Sequence, residues 1–106
     1  MKEVIIDEVS FKVGQNAQEN WDLLSLNENY MWFHLKSFPS CHVILEKEDV
    51  SNEDIINGAN LCLQNTKYRN LKNIKVNYTL IKNLRKADKL GSVHFVSNRK
   101  VNTILL

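Results

Sequence analysis

The sequence predicts an α+β domain, a largely antiparallel sheet with two helices in the order ββαββαβββ. Apolar and polar residues alternate in several short runs, the period of half-buried strands. Only two segments place their apolar residues at helical spacing instead. Short, turn-forming links join neighbouring strands, which favours hairpins over parallel crossovers.

In VIIDEVSFKV, residues 4–13, Val9, Phe11 and Val13 share one side while Ser10 and Lys12 share the other. With Asp7 and Glu8 at the turn, a β-hairpin opens the chain, and Gly14 ends it. Asn16 followed by Glu19 has the spacing of a capping box, so Ala17, Trp21 and Leu24 belong to a short helix reaching about Leu26. Residues 31–36 and 42–46 form a second hairpin linked by Ser37-Phe38-Pro39-Ser40-Cys41. Proline donates no ladder hydrogen bond and belongs in that connection.

Ser51 caps a second helix, running to about Lys67, whose apolar stripe is Ile55, Ala59, Cys62 and Leu63. NIKVNYTLI, residues 73–81, alternates Ile74, Val76, Tyr78 and Leu80 with Lys75, Asn77 and Thr79, another strand. SVHFVS (92–97) and VNTILL (101–106) flank Asn98-Arg99-Lys100, which reads as a terminal hairpin.

At 106 residues this is one domain, spanning 1–106, large enough for one modest core. No window approaches the roughly 20 apolar residues of a membrane helix, and MKEVIIDEVS lacks the long apolar run of a secretory signal. Two cysteines, Cys41 and Cys62, imply no disulfide framework, so a cytoplasmic setting without a membrane partner is expected. Three glycines cannot build a phosphate-cradling or dinucleotide loop.

Charge is unevenly spread. Residues 1–53 carry four Lys against ten Asp and Glu, and residues 54–106 carry ten Lys and Arg against two Asp. Such asymmetry points to a polyanion facing the C-terminal half; the alternatives are an acidic partner there, mutual attraction of the halves, or solvated faces. Lys82, Arg85, Lys86 and Lys89 follow the strand holding Tyr78, and Lys67, Arg69, Lys72 and Lys75 precede and enter it.

The segment MWFHLKSFPSCHVIL, residues 31–45, concentrates chemistry. On an extended strand Trp32, His34 and Lys36 point to one side and Met31, Phe33 and Leu35 to the other. If position 34 lies near 42 in the hairpin, His42 joins that face. An aromatic plate, two imidazoles and an ammonium suit stacking on an unpaired base and polar contacts to base edges or phosphates. The competing reading makes Trp32 and the histidines core. His34, Cys41, His42 and His94 are ligand types zinc accepts, but no recognisable ligand spacing is present, and Cys41 lacks an evident base-and-orienter pair.

GQNAQENWDLL at 14–24, MWFHLKSFPSCHVIL at 31–45, VNYTLIKNLRK at 76–86 and GSVHF at 91–95 resemble, in order, the successive signatures of the NFACT RNA-binding domain. Tyr30 stands where that family has an acid, Ser40-Cys41 where it has Gly-Ser, and Trp21 where an aspartate often follows the helix asparagine. The likeness is to the stand-alone form, without the N-terminal module and coiled coil of members that act in ribosome-associated quality control.

The resemblance implies a non-enzymatic RNA-binding module for tRNA or rRNA, free or in the ribosome, with no cofactor, metal or catalytic residue. It favours Arg85 and Lys86, which fall where the family has its own basic pair. The expected RNA-binding residues are Trp32, His34, Lys36, His42, Lys82, Arg85, Lys86 and Asn20, with Asn16 a helix cap. DNA binding, a protein-interaction role and a small metal-dependent hydrolase are the alternatives. The oligomeric state is not legible in the sequence.

Overall fold

The computed structural model describes residues 1–106. In chain order the elements are β1 Lys2–Ile6, β2 Val9–Val13, α1 Ala17–Asp22, β3 Met31–Leu35, β4 Val43–Leu45, α2 Asn52–Gln64, β5 Lys75–Leu80, β6 Leu84–Lys86, β7 Val93–Phe95 and β8 Asn102–Leu105. Six strands make one sheet in the spatial order β1-β2-β4-β3-β5-β8, and β6 with β7 makes a separate ribbon. Every pairing is antiparallel, so the α+β expectation holds.

Local chemistry explains the boundaries. Asp7 and Glu8 both take positive φ, 49° and 68°, the two-residue turn whose twist matches the β1–β2 hairpin. Asn16 caps α1 by accepting the Glu19 backbone N–H, but the Glu19 carboxylate returns to Gln15 N–H, so the box is offset by one residue. Ser51 and Asp54 close a complete capping box on α2. α1 is only six residues long and continues into a 3-10 turn at Leu23–Ser25.

The sheet is covered on both faces. Phe11, Val13, Phe33, Leu35, Val43, Leu45 and Val76 pack with Ala59, Cys62 and Leu63 of α2 to form the larger core. Gly58 makes that contact possible: a Cβ there would lie 2.5 Å from the Phe33 ring. On the opposite face Trp32 and Ile44 pack with Leu23, Ile81 and Leu84, with Val93 and Phe95 of β7 against them. The period-2 alternation of β3 therefore feeds two cores of unequal size.

The expected terminal hairpin is not formed. β7 pairs with β6, through Leu84↔Phe95, Arg85↔His94 and Lys86↔Val93, and β8 pairs with β5. Buried Asn83 explains the split. Its Oδ1 accepts Ser97 N–H at 2.9 Å, while its Nδ2 donates to the Ser97 carbonyl and to Thr79 Oγ1. That clamp pins the chain between β7 and β8 and sends each to a different sheet. The strand order is thus ββαββαββββ, and β6 lies inside the basic run that sequence alone left unassigned.

Candidate functional site

On the face opposite α2 a groove of about 820 Å³ opens beside the smaller core. Its floor is His34, His42 and Asn77, with Trp32 beside them, and its walls come from the start of α1, the 39–42 connection and the 89–95 segment. Trp21 Nε1 donates to the Ser92 carbonyl at 2.8 Å, which docks the 89–95 wall on α1. Gly14 and Asn20 hold the other side together. Asn20 Oδ1 accepts His42 N–H at 3.2 Å, and Gly14 N–H donates to the His42 carbonyl at 3.0 Å. A Cβ at Gly14 would fall 2.2 Å from Asn20 Oδ1, so only glycine leaves room for this clamp.

The two histidines do lie on the face of Trp32, as the strand geometry predicts. Trp32 and His34 are stacked at 5.6 Å, and His42 meets both edge-on, at 5.3 Å from Trp32 and 5.2 Å from His34. Trp32, however, is only 1% exposed, with Phe95 against it at 5.8 Å. A base cannot stack on a ring so covered; the expectation of Trp32 as an open aromatic plate is corrected, because the ribbon of β6 and β7 roofs it. Its place is under the floor, where Nε1 donates to His42 Nδ1 at 3.0 Å.

That bond fixes the His42 tautomer. Indole nitrogen only donates, so His42 Nδ1 accepts and its proton sits on Nε2. His34 is held the other way round. Its Nδ1 lies 2.6 Å from the Leu35 carbonyl, which only accepts, so Nδ1 carries the proton and Nε2 is bare. Burial lowers the pKa of both rings, and the neighbouring His34 adds to the effect on His42, whose value falls to about 3. Both are neutral at physiological pH.

The remaining expected residues separate. Lys36 lines the groove at the end of β3, joined by Lys89, and Asn20 contributes as described. Lys82 lies elsewhere, lining a second depression with Lys100, Asn83 and Val96. Arg85 is exposed on β6, its guanidinium against the Lys82 and Leu84 carbonyls, and Lys86 sits 5.1 Å over the Trp21 ring. Sequence reasoning missed Asn77, Leu90 and Phe95 as groove residues: Asn77 lies opposite His34 in the β3–β5 register, and Leu90 and Phe95 belong to the 89–95 wall that the β6–β7 pairing brings in.

The charge asymmetry survives folding. Ion pairs join Lys12 to Glu3 and Glu46, Lys47 to Asp54 and the N-terminus to Glu19; none uses a Lys or Arg beyond residue 53. The basic half is thus not neutralised by contact ion pairs with the acidic half. Cys41 and Cys62 face each other, each Sγ reaching the other's carbonyl at 3.5 to 3.7 Å, and no three His, Cys, Asp or Glu converge on one point. No helix is long and apolar enough to cross a membrane.

Fold and groove together define an α+β domain with a polar floor and a lysine-bearing rim on one sheet face. The chain belongs to the family of the NFACT protein RNA binding domain, whose pattern matches residues 6–97. That family makes it an RNA-binding module in kind. It is similar to the C-terminal part of the fibronectin/fibrinogen-binding protein from Streptococcus suis, with 25% identity and a TM-score of 0.89. The match covers 99% of this chain and 44% of that one. No curated protein matches.

Proposed function

We propose that this domain is a non-enzymatic, cytoplasmic module that binds RNA of the translation apparatus, tRNA or rRNA, and works in translation or ribosome-associated quality control. The observation that carries the reading is the unpaired basic half: ten Lys and Arg without an intramolecular ion pair. Free cations capture phosphates by releasing the counterions that screen them. Lys36 and Lys89 flank the groove, and Lys82, Arg85, Lys86 and Lys100 extend the positive surface beyond it. If about four of them contact phosphates of one strand, the logarithmic salt slope is near −3, from roughly −0.7 per contact.

The test is fluorescence-anisotropy binding of the domain to tRNA, matched single-stranded RNA and matched DNA, at low and physiological salt. Salt-sensitive binding that prefers RNA supports the reading; equal binding to DNA reduces it to a general polyanion site. No binding by folded protein overturns it. A second reading, docking on a protein, is favoured by the name of the Streptococcus suis relative. Capture of a protein partner that persists after nuclease treatment distinguishes the two.

A further inference from the structure

The groove floor carries two imidazoles whose tautomers are opposed. Every buried side-chain nitrogen or oxygen has a hydrogen-bond partner, yet neither His34 Nε2 nor His42 Nε2 has one in the chain. Both atoms therefore meet the groove. One is a lone-pair acceptor and the other an N–H donor, on rings whose centroids lie 5.2 Å apart and whose planes cross at 85°. The hydrogen bonds to Leu35 and Trp32 prevent either ring from exchanging its role without losing a partner.

From this juxtaposition we infer that the floor takes the polar edge of an unpaired nucleobase, one presenting a donor to His34 Nε2 beside an acceptor for His42 Nε2–H. A phosphodiester is excluded from that position on chemical grounds. It offers only acceptors, and the bare His34 Nε2 would face them lone pair to lone pair. Nucleobases do place donors and acceptors side by side on their edges. Leu90 and Pro39, on the walls, supply apolar surface for the base plane, while Lys36 and Lys89 hold the backbone at the rim. This rests on the RNA reading above and divides its labour: cations for phosphates, histidines for a base.

Two measurements test it. Long-range imidazole nitrogen spectra of the free protein report which nitrogen of each ring is protonated. The expected result is His34 with bare Nε2 and His42 with bare Nδ1; the same tautomer on both, or an imidazolium at neutral pH, overturns the inference. The second compares one oligoribonucleotide with versions that are abasic or 2′-deoxy at their central positions, against the native protein and His34→Ala. Loss of the bases should weaken binding by about tenfold, the scale of one lost base contact. The 2′-deoxy strand should stay close to the parent, and His34→Ala should penalise the base-bearing strand while leaving the abasic one unchanged. Equal binding of abasic and parent strands overturns the inference but leaves the RNA reading standing. Dependence on the 2′-hydroxyl alone reassigns the pair to the sugar and also overturns it. If no strand binds the folded protein, the RNA reading fails and the inference with it.

Discussion

Trp32 Nε1 donates a hydrogen bond to His42 Nδ1 at 3.0 Å, joining β3 to the start of β4 where both side chains are buried. One bond satisfies an indole N–H in the smaller core and sets the tautomer displayed to the groove. His42→Leu leaves the indole donor unpaired and should destabilise the domain by about 1–3 kcal/mol, measured by urea denaturation. A Leu variant as stable as the parent would show that the bond contributes nothing to folding.

Acid should unfold the domain through the same ring. Burial pushes His42 down to about 3 when folded, from its ordinary value of 6.5. Between those values the unfolded chain binds the extra proton, so stability rises with pH across the window. It is complete above about 6.5 and is lost progressively as pH falls toward about 3. His34, also lowered by burial, acts in the same direction. Denaturation midpoints should fall with pH in that interval, and His42→Gln should flatten the fall. An unchanged profile in that variant would remove His42 from the account.

The larger core depends on a missing methyl. Gly58→Ala sets a Cβ 2.5 Å from the Phe33 ring, on a helix packed flat against β3. Alanine is the better helix former, so propensity alone predicts stabilisation by up to about 1 kcal/mol. Overpacking costs about 1–3 kcal/mol and wins here, because Phe33 is wholly buried and has nowhere to go. A lower thermal midpoint for the variant is expected, and a higher one would mean that α2 shifts without penalty.

Reversing charge on β6 tests the electrostatic surface. Arg85 and Lys86 are both exposed and neither pairs with an acid, so Arg85→Glu with Lys86→Glu should preserve the far-ultraviolet circular dichroism. RNA affinity should drop and the salt slope should shrink by about 1.4, twice the roughly 0.7 per phosphate contact. Unchanged affinity and slope would exclude this edge from the interface.

The fold was largely legible because hairpins and caps are local. Asp7 and Glu8 as a turn, Asn16 and Ser51 as caps, and the α2 stripe of Ala59, Cys62 and Leu63 all lie where spacing predicts. The β6–β7 pairing was not legible, since Leu84-Arg85-Lys86 is three residues long and buries only its leucine. The clamp that decides it is one buried asparagine, Asn83, whose side chain looks like any loop polar residue until Ser97 and Thr79 surround it.

The candidate site divides in the same way. Period-2 alternation was enough to put Trp32 and His34 on one face opposite Phe33 and Leu35, and hairpin pairing was enough to bring His42 beside them. The sequence by itself also determined the basic character of residues 54–106, because charge is a property of composition. Only the tertiary structure decided which members of that face meet solvent. The β6–β7 ribbon covers Trp32 with Phe95 and leaves two imidazole nitrogens at the groove, since exposure is set by what packs across a face and not by the strand that forms it.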